Sequence, residues 1–413
     1  NFADDMIFNE SDGAVTYNAF KFGQYDNTWT NNSYIRCYEG IRQASILINN
    51  IDINEELSEV EIADYKAQAR FLRSYFYWLL LRKYGPVPLI PEETISIDED
   101  YMDMSYPRSS YDEVVNYISE EMALAARSLP EKRDRQNVNR STKGAALAVR
   151  AKVLLYTASP INNPRPGDSD KFSDFTDWQG RMLMSQTYDE SKWARAAAAA
   201  KDVIDLANAT GVYKLYTAPY QSKGDNAYPA TVRPPYHSVY SNKDFPEGWA
   251  DIDPFASYRS IFNGDLYATE NPELIFTRGN NQGSYGVNYM VFYQLPVSKA
   301  KGNNTTCVTQ KQCDAYYMKD GKDIPGKDIE IGRGDGSSQR VTGFVTASDV
   351  SKGLYKPLEE NVSLQYANRE PRFYASVAYN GVTWWLTNAT QSSDRGPYRS
   401  WYYRGETEGM SNS

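Results

Sequence analysis

The sequence predicts a mainly α protein: an αα superhelix of tetratricopeptide-type helix pairs, carrying a large loop-rich region with few short strands. Three observations predict it. Helix-start signals and apolar periodicity mark helices in consecutive pairs, from Tyr34 and Ser58 and then from Ser110 and Ser141, as in an imperfect αα repeat. Capping boxes and Gly-Pro or Ser-Pro stops punctuate those helices. After Gly211 the helical period gives way to turns dense in proline and tyrosine.

The first helix is read over Tyr34 to Asn49, apolar at Ile41, Ala44, Ile46 and Ile48. Ser58-Glu59-Val60-Glu61 has capping-box spacing, and apolar residues then recur through Tyr65, Ala69, Leu72, Phe76 and Leu80 until Gly85-Pro86 ends the run. A second box, Ser110 to Glu113, opens an amphipathic helix through Val114, Tyr117, Ile118, Met122 and Ala125 that stops before Pro130. Ser141 or Thr142 starts the next, which ends at Ser159-Pro160. Asp189 to Asn208 gives another, whose run Ala196 to Ala200 calls for close approach of a neighbouring helix. Beyond Gly211, Tyr213 to Arg278 reads as turns, with a helical turn near Tyr258 to Phe262, a strand-like Glu273-Leu274-Ile275-Phe276, and a further short helix near 309–317. The chain is thus expected to be one domain, 1–413, with a helical scaffold over 33–210 and a loop-rich, ligand-binding region over 211–413.

Composition bounds the function. The 413 residues carry 44 Lys+Arg against 53 Asp+Glu, a net charge of −9, which argues against nucleic acid because phosphate-backbone binding needs a basic face. The most apolar run, Ser74 to Leu81, is far short of the ~20 residues that a spanning helix needs. The opening at Asn1, without initiator Met or apolar leader, reads as a trimmed chain. Aromatics are in excess: 34 Tyr, 15 Phe and 8 Trp. A core uses Phe as readily as Tyr, so surplus phenols belong at surfaces with one dry and one wet side. Long irregular segments in a compact protein are functional or disordered, and so many large rings exclude disorder.

Chemistry-bearing motifs are sparse. A single histidine, His237, excludes any site needing two imidazoles, and it sits in a Pro/Tyr loop as a surface or packing residue. Three cysteines without a CxxC pair exclude zinc ribbons; Cys307 and Cys313 can close a small disulfide, leaving Cys37 a buried thiol. Gly332 to Gly336 lacks the lysine of a phosphate loop and reads as a turn. Asp168, Asp170, Asp174 and Asp177 offer calcium ligands, but their spacing misses the EF-hand pattern and reads as a solvated acidic loop. No cofactor is expected.

Nine segments in one order resemble the SusD/RagB family of outer-membrane nutrient-binding lipoproteins: residues 34–42 (YIRCYEGIR), 67–75 (AQARFLRSY), 84–90 (YGPVPLI), 110–112 (SYD) through Leu129-Pro130, 141–146 (STKGAA) through Ser159-Pro160, 192–197 (KWARAA), 271–276 (NPELIF), 314–321 (DAYYMKDG) and 368–375 (NREPRFYA). Ser45 stands where the family has Asn, and Glu121-Met122 where it has Asp-Leu, as helix-surface or packing variation. Arg70 and Arg73 read as guanidinium groups bonding loop carbonyls or carboxylates, and Arg369, Glu370 and Arg372 as an ion-pair and hydrogen-bond clamp.

The resemblance implies a non-enzymatic glycan-binding protein at the cell outer membrane. Its partners would be an oligosaccharide or polysaccharide and a SusC-like TonB-dependent transporter, with a lipid anchor that this chain does not carry. A peptide-binding member of the family and a helical glycoside hydrolase are the rival readings. A sugar site needs flat aromatic surface beside amides, carboxylates or guanidinium groups. Residues of that kind are Trp29, Asn31 and Asn32 before the first helix, Tyr228, Tyr236, Tyr240 and Trp249 among Arg233, Asn242 and Asp251, and Tyr285 after a polar Gly/Asn loop.

Overall fold

A computed structural model describes residues 5–8, 22–23, 33–93, 100, 105–168, 172–220, 232–277, 293–327, 339–386 and 392–409. Among them the fold is mainly helical with four short strands, as the sequence predicts. The chain forms two compact units: Thr30–Leu215 with Ala268–Gly279, and Asn1–Trp29, Tyr216–Tyr267 and Asn280–Ser413.

The first unit is a succession of long helices, α1 (Ser33–Asn50), α2 (Glu59–Tyr84), α3 (Tyr111–Ser128), α4 (Lys143–Ala158) and α5 (Ser191–Thr210), each packed chiefly on its neighbours in sequence. Both capping boxes form. The Ser58 and Ser110 hydroxyls accept from the amides of Glu61 and Glu113, whose carboxylates accept the cap amides in return. Thr142 caps α4, Gly85 ends α2, and Gly211 ends α5 in the left-handed region at φ 65°. Gly40 allows close approach of α1 and α2: a Cβ there would lie 2.4 Å from the Phe76 ring. The alanine run on α5 is not a continuous core face, since Ala196 and Ala199 are buried while Ala197, Ala198 and Ala200 face solvent. Only the i, i+3 positions point inward.

Arg73, 1% exposed, is the polar centre of this unit. From α2 its Nε donates to Ser45 Oγ of α1 at 3.0 Å, one Nη to the Tyr117 hydroxyl of α3, and the other to the Ile90 carbonyl at 2.6 Å. Its cation also lies 5.6 and 5.3 Å from the Tyr77 and Tyr117 ring centres. Arg70, one turn earlier, is shared between Glu92 at 3.0 Å and Glu121 at 2.7 Å. The two family departures, Ser45 and Glu121, are therefore buried partners of these arginines. Lys192 of α5 is likewise buried and bonds both oxygens of Asp112 at 2.8 Å.

The strand expected at Glu273–Phe276 does not form. That segment is a turn whose Phe276 ring packs edge-on against Phe71 at 5.3 Å and Tyr75 at 6.1 Å, so its apolar residues serve as a plug.

In the second unit, β1 (Met6–Phe8) pairs antiparallel with β2 (Thr306–Val308), and β3 (Thr383–Leu386) with β4 (Gly396–Arg399). Four short helices accompany them: α6 (Pro254–Ser260), α7 (Gln310–Ala315), α8 (Ala347–Ser351) and α9 (Pro371–Ser376). Val345, Leu358, Val362, Phe373 and Tyr379 form its core. Here Arg369, 2% exposed, repeats the device: its guanidinium donates to the carbonyls of Cys313 and, at 2.8 Å, Tyr316, and lies 4.5 Å from the Phe373 ring. Glu370 accepts from the Tyr317 amide and from Arg372 Nε at 2.6 Å. Cys307 and Cys313 are free thiols, not a disulfide: the first is on β2 opposite Ile7, the second is buried on α7. Cys37 is a buried thiol. Among the described residues no helix is long and apolar enough to cross a membrane.

Replacing Arg73 by Lys keeps the charge and loses the fork, which should cost about 2–4 kcal/mol in urea denaturation. Ser58→Ala, which removes one cap, should cost about 1 kcal/mol; equal losses for the two would contradict the central place given to Arg73. Burial, as the largest cause, pushes the Tyr366 and Tyr374 phenols up to about 12. Their folded values lie above the unfolded ~10, so their contribution is intact below pH ~10 and is lost as pH rises towards ~12. Denaturant midpoints followed across that window should fall, and a flat profile would refute the assignment.

Candidate functional site

The site is built on a pair of backbone segments in the second unit. The amide of Asp253 donates to the Ala218 carbonyl at 2.9 Å, that of Ala218 to Ser257 Oγ at 2.9 Å, and that of Tyr220 to the Asp251 carbonyl at 3.1 Å. Pro219 and Ile252 form an isolated antiparallel bridge. Asp253 also caps α6 through the Ala256 amide, and α6 packs against α9. Residues 218–220 and 251–253 are thereby anchored to a helix by their own backbone.

From this anchor a loop over 232–250 folds back on itself. The amides of Trp249 and Ala250 donate to the carbonyls of Tyr240 and Lys243, both at 2.9 Å, and that of Gly248 to the Asp244 carbonyl at 2.9 Å. Gly248 is required here, because a Cβ would lie 2.3 Å from the Tyr240 carbonyl oxygen. The Asp251 carboxylate accepts from the Phe245 amide at 2.8 Å. These cross-links fix the loop, which carries one short 3-10 turn at Tyr240–Asn242.

Among the groups that the loop presents are aromatic rings, beside the exposed Lys243, Asp244 and Glu247. The Arg233 guanidinium lies 3.7 Å from the Tyr220 ring centre and 5.7 Å from that of Trp249, bridging two rings with a planar cation. Tyr236 is 72% exposed, and its hydroxyl accepts from the Asn242 amide at 2.8 Å. Tyr240 is exposed and stacks on His237 at 4.7 Å with the planes 28° apart; the imidazole Nδ1 accepts from the Val239 amide. His237 is thus a surface packing residue. Exposed ring faces bordered by a guanidinium and an amide offer stacking to apolar C–H surfaces and hydrogen bonds to hydroxyl rims.

Of the sequence-predicted ligand residues, Tyr236 and Trp249 fall in this one cross-linked loop; Trp29, Asn31, Asn32, Tyr228 and Tyr285 lie outside the described residues. Tyr220 was not anticipated. It reaches the site through a bridge to a segment some thirty positions later, a pairing with no local sequence signal. Tyr240 is among the rings that the sequence offers, and Arg233 among their polar neighbours.

The acidic set gives no cation cage among the described residues, where no three His, Cys, Asp or Glu gather to hold a metal. Asp170 lies outside them. Asp177 is committed to a turn, its carboxylate accepting from the amides of Gln179 and Arg181 and from Arg181 Nε at 2.7 Å. Burial opposes ionisation of Asp177, but the Arg181 amide and guanidinium outweigh it and hold the carboxyl below its ordinary value. Residues 332–336 lie outside the described set.

Two family models match. One, described as SusD-like and as starch-binding associating with the outer membrane, covers residues 4–155, and the other, the SusD family, covers residues 272–413. The chain belongs to the SusD/RagB family. A SusD-like protein of Bacteroides ovatus is 30% identical over 135 residues, 32% of this chain and 23% of that protein. Among solved structures, BT4246 aligns over all of this chain and 65% of its own length with a TM-score of 0.70 and 24% identity. A SusD-like protein (BF3747) from Bacteroides fragilis aligns over 98% of this chain and 59% of its own length, with a TM-score of 0.62 and 18% identity. These likenesses show a SusD-like fold, in a chain that covers less than two thirds of each relative's length.

In this SusD-like chain, Arg233→Ala should release Trp249 from its cationic neighbour and change its emission. The difference spectrum between wild type and variant should vanish in a Trp249→Phe background; a difference that persists would place the perturbed indole elsewhere.

Proposed function

We propose that the protein is a surface glycan-binding protein that captures an oligosaccharide or polysaccharide and does not cleave it. The observation that carries this reading is a set of rings on and beside one loop pinned by its own backbone: Tyr220 and the half-buried Trp249 flank Arg233, and the exposed Tyr236 and Tyr240 lie against Asn242 and His237. Family membership supports it, since one matching model is described as starch-binding. Tyr236 and Trp249 supply stacking faces and Arg233 and Asn242 hydrogen bonds to hydroxyls, with Trp29, Asn31, Asn32, Tyr228 and Tyr285 as further contacts.

Delivery to a SusC-like TonB-dependent transporter at the cell outer membrane completes the reading. The family description of association with the outer membrane supports the location. Stacking at ~0.5–1.5 kcal/mol per ring and hydrogen bonds netting ~1 kcal/mol each must offset the cost of association, which gives a Kd on the order of 10⁻⁵ to 10⁻³ M. Repeating polymers raise effective concentration, so weak unit affinity suits polymer capture.

Isothermal titration against polysaccharide and oligopeptide panels tests the ligand class. Heat with at least one polysaccharide, reduced about tenfold in affinity by Trp249→Ala and by Tyr236→Ala, is the expected result. Heat with peptides alone would replace the glycan reading by the peptide one. Release of reducing ends on prolonged incubation, abolished by replacing one carboxylate, would replace it by a hydrolase.

A further inference from the structure

A cavity of about 290 Å³ lies in the helical unit and shares no residue with the aromatic loop. Pro160, Ile161 and Pro164, which follow directly on α4, form one part of its wall; Asp168, Phe172 and Gln186 form others. The proline segment is fixed from beneath. Asn162 is buried and donates to the Tyr156 carbonyl at 2.9 Å and the Tyr111 hydroxyl at 3.2 Å. Asn163, also buried, exchanges two hydrogen bonds with the backbone of Asp189, at 2.8 and 2.9 Å. On the other side, the Tyr111 amide holds the Leu183 carbonyl at 2.9 Å, just before Gln186.

Three features of this wall bear on binding. Ile161 is 62% exposed although its neighbours Asn162 and Asn163 are buried. Phe172 is exposed too, yet sits at φ 99°, a region that a bulky residue adopts at a cost of about 1–3 kcal/mol and that glycine would occupy freely. Gln186 donates from Nε2 to the Met184 carbonyl, while its buried Oε1 has no hydrogen-bond partner among the described residues. Strain at an exposed ring and an acceptor lacking a donor, on walls held rigidly by buried amides, are features of a ligand site.

We propose that this cavity binds one pyranose-sized polyol, a single glycosyl unit, as a subsite separate from the aromatic loop. Phe172 and the two pyrrolidine rings offer apolar faces for C–H groups, and the Gln186 amide oxygen and the Asp168 carboxylate offer acceptors to hydroxyl donors. The volume falls at the lower edge of the ~300–1,000 Å³ range of drug-sized ligands, so it suits one ring and not a chain. The inference rests on the glycan-binding reading for its ligand class and on the helical unit for its geometry.

Saturation-transfer difference NMR of the whole protein with the methyl glycosides of glucose, galactose, mannose and xylose, at millimolar concentration, tests it. At least one glycoside should give a signal that falls about tenfold in Phe172→Gly and is retained in Trp249→Ala. Glycine accepts the positive φ, so Phe172→Gly should unfold at the same temperature as wild type or higher, which separates loss of binding from loss of fold. Gln186→Leu, which removes the acceptor, should weaken the same signal. No signal from any glycoside, or a signal unaffected by Phe172→Gly, overturns the subsite. A signal lost in Trp249→Ala but kept in Phe172→Gly overturns it while leaving the aromatic-loop reading standing; absence of polysaccharide heat with the subsite signal intact would do the reverse.

Discussion

The helical unit depends on one buried cation, Arg73, whose guanidinium is held by uncharged groups. Arg73 reaches α1, α3 and the segment after α2 in three directions, and only a planar fork can do so from one position. Burying a guanidinium is expensive unless its donors are met, and here a hydroxyl, a phenol and a carbonyl meet them while two tyrosine faces share the charge. The helices must therefore adopt the one arrangement that brings Ser45, Tyr117 and Ile90 together. Arg369 imposes a comparable condition on the second unit, where carbonyls from α7 and the residue after it converge on one buried group.

This economy separates scaffold from site. Charged residues that look chemically active in the sequence, Arg70, Arg73, Lys192, Glu121 and Asp112, are consumed in holding helices together. The groups that face outward in the 232–250 loop include the Tyr236 and Tyr240 rings, Arg233 and Asn242, a set suited to recognition by stacking, beside the exposed charges of Lys243, Asp244 and Glu247. The loop gains its definition from backbone hydrogen bonds and from Gly248, where any side chain would strike a carbonyl.

The parts legible in the sequence are those decided locally. Ser58 and Ser110 each meet their partner three residues away, and Gly85 and Gly211 terminate helices by their own conformational freedom, so spacing alone reveals them. Relationships across the fold left no such mark. The apolar run at Glu273 to Phe276 has strand-like composition, but Phe71 and Tyr75 claim its ring. Cys307 and Cys313 are close in sequence, yet one is held in a strand and the other buried on a helix. At the site, Tyr236 and Trp249 were legible as aromatics among polar residues, whereas Tyr220 enters through a tertiary bridge that composition cannot announce.

The central claim is that this outward-facing ring loop is where a saccharide is held. Hydrogen–deuterium exchange of the whole protein, with and without a polysaccharide that it retains on an affinity gel, tests that claim most directly. The account predicts slowed exchange of amides within 216–253, while the amides of α1 to α4 are unchanged. Saccharide-dependent protection confined to other segments, with 216–253 exchanging at its free rate, would contradict it.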